Sequence, residues 1–246
     1  MKQHRFLITA DQLNGRVVRF SNEQAHQIRS VLRLRAGDTV RVFDGQTPTD
    51  RVVQLTTPFE GILLGEHGQP HEPSTRLVVY PALLQRDKFE QVLQKLTELG
   101  VAAVAPVLTA RSLVREPPDA QRQVRWRAIL REAAEQSGRG VVPALLPAQP
   151  LPHALGGAEG TLIVAYEREP RRRLADVLEK RPRIVSAFVG PEGGYTPEEA
   201  EGAGRAGAHL VTLGPRVLRT ETAAPVLAAL VLYELGDLSS GHADDD

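Results

Sequence analysis

Two segments late in the chain carry the residue types that hold a small molecule and act on it. Gly190-Pro-Glu-Gly-Gly194 packs three glycines and a proline into five residues. Glycine lets a backbone turn tightly and approach a ligand closely. Gly214-Pro-Arg-Val-Leu-Arg-Thr-Glu-Thr222 brings Arg216, Arg219, Thr220, Glu221 and Thr222 together. Charged and hydroxyl groups gathered on one loop read as a site rather than a connector. Other chemistries lose support. The chain has neither G-x-G-x-x-G nor G-x-x-x-x-G-K-[ST], so dinucleotide and P-loop readings lack their main evidence. It has no cysteine, which excludes disulfides, thiolate nucleophiles and zinc-thiolate sites. His67 and His71 lack acidic ligands at metal-binding spacing, so no metal site is assigned.

The surrounding pattern says which elements position these loops. Strand Ile184–Val189 leads into Gly190–Gly194, and a helix follows from Pro197 to Ala206. Thr196 is a fit N-cap, Pro197 a first helical residue and Glu199 the capping-box partner. Strand His209–Leu213 leads into the second loop, and a helix follows from Ala223 to Leu235, with Thr222 as its expected N-cap. In an open α/β sheet, ligands bind past the carboxyl ends of strands. Both loops lie there. Further strands are expected at Leu77–Leu83, Val101–Leu108 and Thr161–Tyr166, and helices at Asp87–Leu99, Gln121–Ser137 and Arg171–Lys180. Phe89, Val92, Leu93, Leu96 and Leu99 mark one apolar helix face, and Gly100 ends it. Strand–helix alternation predicts a parallel α/β sheet over residues 76–238.

Residues 1–70 differ. Short β-rich runs at Arg16–Phe20, Asp38–Phe43, Arg51–Leu55 and Gly61–Leu64 alternate with turns, and Asp44-Gly45 is a hairpin signal. One short helix covers Glu23–Leu32. This predicts a small, mostly β module, a barrel. The polar stretch Glu66–Arg76 reads as a linker, and the acidic ending 239–246 as a disordered tail.

The chain has 246 residues, 41% of them hydrophobic, enough for a core. It shows no apolar run long enough to span a bilayer and no signal-peptide h-region, so a cytoplasmic protein is expected. Net charge is zero, but the basic residues cluster. Eight Lys/Arg stand against five Asp/Glu from Met1 to Asp50, six against two from Arg111 to Arg131, and seven against three from Arg168 to Arg183. Local patches matter more than totals for nucleic acid, and arginine suits phosphate.

Phe188-Val-Gly-Pro-Glu-Gly-Gly194 and Leu213-Gly-Pro-Arg-Val-Leu-Arg-Thr-Glu-Thr-Ala223 resemble the two signature motifs of the RsmE family. That family comprises small-subunit rRNA uridine-N3 methyltransferases of the SPOUT superfamily. Lys88–Val101, Glu135-Gln-Ser-Gly-Arg139, and His26–Arg33 with Gly37 and Phe43-Asp-Gly45 are similar to its other segments, in the same order. The resemblance implies a PUA-like RNA-binding β-barrel at 1–70 and a SPOUT domain at 76–238 tied in a trefoil knot. Topology rules alone would draw an ordinary doubly wound sheet. It implies S-adenosyl-L-methionine as cofactor, a homodimer, and 16S rRNA in the small ribosomal subunit as substrate. A methyltransferase for another RNA such as tRNA, and a non-enzymatic ribosome-assembly factor, are the rival readings.

On that resemblance Gly190, Pro191, Glu192, Gly193, Leu213, Gly214, Leu218 and Thr220 would form the cofactor pocket. Uracil N3 is a poor nucleophile until its proton leaves, and the resulting charge falls on O2 and O4. A base and a cation are therefore wanted near the ring. Arg219 can stabilise the anion, with Arg216 a second candidate. Glu221 or Glu192 can take the proton, Glu221 ranking first. Arg5, Arg29, Arg33 and Arg139 are the RNA-contact candidates, and Arg171–Arg173 join them because cations opening a helix oppose its dipole. His26 is expected to be buried and hydrogen-bonded, and Trp126 to serve packing.

Overall fold

The computed structural model describes residues 4–68, 72–85, 87–169 and 171–238. They fall into two compact units. The first runs to Glu72 and takes in Arg131–Val142; the second holds Pro73–Leu130 and the chain from Pro143 onward.

The first unit is a six-stranded sheet. Its strands are β1 (Arg5–Leu7), β2 (Leu13–Asn14), β3 (Val17–Arg19), β4 (Thr39–Phe43), β5 (Asp50–Leu55) and β6 (Glu60–His67), in the order β1-β4-β5-β6-β3-β2. Only β1 and β4 pair in parallel among these. A register shift at Val52/Val53 marks a bulge, the device that curls a sheet. Phe6, Ile8, Val18, Val40, Val42, Val53 and Leu55 meet Ile28 in one core. The sheet is thus curled and barrel-like, as the β-rich reading expected. The Asp44-Gly45 turn forms as expected: the Asp44 carboxylate accepts from the amides of Gln46 and Thr47, and Gly45 takes φ +72. The expected helix appears as α1 (Asn22–His26), capped by Ser21 and Gln24, and continues as a wider π-type turn over Gln27–Val31. Strands β1 and β2 escaped the sequence reading because they are too short to show alternation.

The second unit holds six parallel strands in the order β10-β8-β7-β13-β12-β14. They are β7 (Arg76–Pro81), β8 (Ala103–Val104), β10 (Ala144–Leu145), β12 (Thr161–Ala165), β13 (Ile184–Val189) and β14 (His209–Val211). A separate pair joins β9 (Val107–Leu108) to β11 (Gln149–Pro150). The single strand expected at Val101–Leu108 is split, because Pro106 cannot donate to a ladder. Helices are α2 (Asp87–Leu99), α3 (Ala120–Ser137), α4 (Leu151–Gly157), α5 (Leu174–Leu178), α6 (Pro197–Arg205) and α7 (Thr220–Leu235).

Helix α2 buries Phe89, Val92, Leu93 and Leu96 as its periodicity required. Thr97 joins them by donating its hydroxyl to the Leu93 carbonyl at 2.8 Å. Gly100 ends the helix with φ +99. Trp126 on α3 packs on Phe89, ring centres 4.4 Å apart, as expected. Helix α4 was not read from sequence. It is short, opens on Pro150 and carries two glycines, yet its Leu151, Ala154 and Leu155 reach the core.

Three boundaries need correction. Helix α5 begins at Leu174, so Arg171–Arg173 precede it rather than open it. Helix α7 begins at Thr220 with Arg219 as N-cap, three residues ahead of the expected Thr222 cap. Strand β6 runs to His67, into the expected linker. The expected tail at 239–246, and His71, lie outside the described residues.

Candidate functional site

The loops after β12, β13 and β14 converge. These three strands lie side by side in parallel, so their carboxyl ends open at one edge. Between the loops lies a pocket of about 210 Å³. From β12 it takes Ala165, Tyr166 and Glu167; from β13, Val189 to Gly194; from β14, Thr212 to Leu218; from α7, Thr220 and Ala223.

All eight residues assigned to the cofactor, Gly190, Pro191, Glu192, Gly193, Leu213, Gly214, Leu218 and Thr220, stand in its wall. The first loop's glycines each make room for a neighbour. A side chain on Gly190 would meet the Tyr195 ring at 3.1 Å. One on Gly193 would meet Arg111 at 3.2 Å, and one on Gly194, at φ +65, would meet the Glu167 carboxylate at 2.5 Å. Arg111 fixes the same loop by donating to the Gly193 carbonyl at 2.9 Å. Beyond the loop, Thr196 and Glu199 form the expected capping box, and Glu199 also accepts from the Ala110 amide at 2.7 Å. Gly214 has φ +105, a conformation that suits glycine. The two motif loops are joined directly: Thr220 Oγ1 donates to the Gly190 carbonyl at 2.8 Å.

Arg219 and Glu221 do not line this pocket. Arg219 is exposed on the approach to α7, and among the described residues no ion pair engages it or Arg216. Glu221 turns to Lys88, whose Nζ lies 3.4 Å from Glu221 Oε1 and 3.3 Å from Glu192 Oε1. Sequence reasoning missed Lys88, Glu167 and Arg111. Lys88 had one local signal, a cation in the first turn of α2 that opposes the helix dipole. Glu167 follows the carboxyl end of β12, where ligands gather, but no glycine marks it.

Two of the RNA-contact candidates are engaged within the protein. The Arg5 side chain is largely enclosed and donates to both oxygens of buried Asp50, at 2.6 and 2.8 Å. It also reaches the Arg139 carbonyl and stacks over the Phe43 ring at 4.3 Å. Arg139 is equally enclosed and pairs with Glu72 at 2.7 Å. Both guanidiniums hold the first unit together, including Arg131–Val142, which argues against phosphate contact. His26, expected to be buried, is exposed because α1 and the π-type turn after it direct Ala25 and Ile28 inward instead. Arg29 and Arg33 are exposed, as are Arg171 and Arg172. Arg33 holds φ +57 at the end of the α1 turn, a place where glycine is usual. Among the described residues no cluster of His, Asp and Glu could hold a metal, and no helix is long and apolar enough to cross a membrane.

Fold and pocket together define an α/β domain that takes a small ligand at its strand ends, joined in one chain to a barrel-like β unit. Residues 71–232 match the family model described as an RNA methyltransferase domain. The ribosomal RNA small subunit methyltransferase E of Synechocystis sp. is 32% identical, over 93% of this chain and 77% of its own. That of Bacillus subtilis is 29% identical, over 87% and 89%. Among solved structures, the ribosomal RNA small subunit methyltransferase E of Neisseria gonorrhoeae, bound to S-adenosyl methionine, is 32% identical with a TM-score of 0.84, covering 94% of this chain and 97% of that one. A Legionella pneumophila protein in complex with the same cofactor is 26% identical, also at 0.84, covering 95% and 98%. The chain belongs to the RNA methyltransferase domain family, within the ribosomal RNA small subunit methyltransferases E.

Proposed function

We propose that the chain transfers the methyl group of S-adenosyl-L-methionine to N3 of a uridine in 16S rRNA of the small ribosomal subunit. The observation that carries this is the strand-end pocket: it is walled by both family motifs, in a chain similar over almost its whole length to a relative solved with that cofactor. The lining suits the group. Val189, Leu213, Leu218 and Ala223 offer apolar surface for a purine, the glycine backbones offer amides and carbonyls, and Glu167 and Glu192 offer carboxylates to a cation.

The cofactor, when bound, supplies a methyl carbon on a sulfonium sulfur. The C–S bond breaks as the N3–C bond forms, a neutral thioether leaves, and the N3 proton passes to a carboxylate. The protein's part is position and charge. Glu192 lines the pocket and Glu221 does not, which supports Glu192 as proton acceptor and reverses the ranking drawn from sequence. Arg219, exposed within the second motif segment, would stabilise the uracil anion, with Arg216 in the pocket wall.

The first unit would act as a PUA-like RNA-binding barrel over residues 1–70, and residues 76–238 as the SPOUT domain. Arg29, Arg33, Arg171 and Arg172 would meet RNA phosphates. A trefoil knot in the SPOUT domain belongs to the same reading. A homodimer is supported by exposed Leu230 and Tyr233 on α7. A ribosomal substrate implies the cytoplasm. The test is to incubate the protein with labelled S-adenosylmethionine and small subunits, then map the modified base by mass spectrometry. Label at uridine N3 of 16S rRNA is expected. Label in tRNA alone, or none despite cofactor binding, would replace this reading with one of its rivals.

A further inference from the structure

Lys88 breaks a local rule. As the second residue of α2 it places a cation where the helix dipole is positive. Asp87 and Glu90 in the same turn suit the dipole, and Lys88 finds its own partners off the helix. Its ammonium lies between two carboxylates from two other elements: Glu192 in the loop after β13, at 3.3 Å, and Glu221 in the first turn of α7, at 3.4 Å. Glu192 is pocket wall, and Glu221 is the more buried of the two, its second oxygen enclosed with no partner among the described residues. A lone exposed pair contributes little. Here one cation is shared by two acids that would otherwise repel each other. It also reinforces a junction already made once by Thr220 and the Gly190 carbonyl. The hydrogen bond to Glu192, with that to Glu221, holds the Lys88 pKa above the usual lysine range. A raised amine pKa means the ammonium, and the tie, are present throughout neutral pH and are lost only as pH rises through that raised value.

We propose that Lys88 is a positioning residue for the cofactor pocket, clamping Gly190–Gly194 against the start of α7 in the shape that accepts S-adenosylmethionine. This rests on the methyl-donor reading above. The test titrates the intact protein with S-adenosylhomocysteine by calorimetry, without RNA. Lys88→Met is expected to weaken binding by about tenfold, with Lys88→Arg recovering most of the loss. In turnover, Lys88→Met raises the KM for S-adenosylmethionine more than it lowers kcat. Glu192→Gln removes the other end of the tie and tests the same point if Lys88→Met folds poorly. Because the two residues act as one unit, the double variant should lose little more than either single one. Unchanged affinity in Lys88→Met, additive losses in the double variant, or failure of arginine to rescue would overturn the clamp. Failure of the unaltered protein to bind S-adenosylhomocysteine would instead sink the methyl-donor reading itself.

Discussion

Gly194→Ala is the substitution for which the structure gives the fullest account. Gly194 sits at φ +65, in the left-handed region. A non-glycine residue there costs roughly 1–2 kcal/mol. For a chain of this size each kcal/mol lowers Tm by about 2–4 °C, so the strain alone predicts a fall of about 2–8 °C. A second effect is steric. The new methyl would lie 2.5 Å from Glu167 Oε1. Carbon and its neighbours settle at about 3.5 Å or more, so the carboxylate must withdraw by about 1 Å. Glu167 is the end of a flexible side chain, so it can move, but it is also pocket wall. The variant should therefore fold and bind cofactor poorly, with affinity down by about tenfold, or about 1.4 kcal/mol. Gly214→Ala is the control: it has φ +105 and nothing within 4 Å of the added methyl. It should share the Tm loss and keep more of the affinity. Thermal melts and calorimetry with S-adenosylhomocysteine read the two effects separately. If Gly194→Ala melts and binds like the parent, both the strain and the crowding arguments fail. If Gly214→Ala loses as much affinity as Gly194→Ala, displacement of Glu167 is not the cause.

Tyr195 is buried with its hydroxyl unpartnered among the described residues, and burial pushes its pKa far up. An unmet buried hydroxyl costs about 1–3 kcal/mol, so Tyr195→Phe should hold or raise Tm; a loss of several degrees would show a partner that the structure lacks. Glu135 accepts from the Leu7 amide at 2.8 Å, but burial raises its carboxyl pKa. Folding then favours the protonated acid, so this group supports stability at low pH and the support is lost as pH rises through the raised value. Glu135→Gln mimics the protonated form and should raise Tm near neutrality, with the gain vanishing below the ordinary glutamate range; an equal gain at every pH would refute the titration argument. Replacing Arg171 and Arg172 together by Gln should weaken RNA binding and shrink the slope of log K against log salt by about 1–2, since each phosphate contact contributes somewhat under one unit. An unchanged slope would remove both arginines from the RNA face.

What the sequence disclosed, and what it hid, follows the range of the interaction involved. Helix α2 was legible to the residue because its apolar period and its Gly100 stop are local. The capping box of α6 was legible for the same reason. The start of α7 was not. Thr222 has the right chemistry for a cap, but the helix begins earlier, at Thr220, whose hydroxyl bonds the Gly190 carbonyl 30 residues back in the chain. Arg5 and Arg139 were RNA-contact candidates as cations, and no local pattern announces Asp50 or Glu72 as their partners. Lys88 meets Glu192 across 104 residues, so only its awkward place at a helix start could have marked it.

The pocket itself sharpens this rule. Its glycines were conspicuous in the sequence, while the groups they admit were not. Gly190 leaves room for the Tyr195 ring, Gly193 for Arg111, and Gly194 for Glu167. Each glycine is an absence with a specific neighbour, and those neighbours arrive from the loop's own far side, from the chain after β9 and from the end of β12. A glycine-rich motif therefore reports where backbone must come close, and only the fold says to what. Two of those neighbours, Arg111 and Glu167, carry charge, so a loop that reads as merely permissive is bonded by one charged side chain and closely approached by another. That is why alanine at Gly193 or Gly194 should act on the pocket through Arg111 or Glu167 rather than through the loop alone.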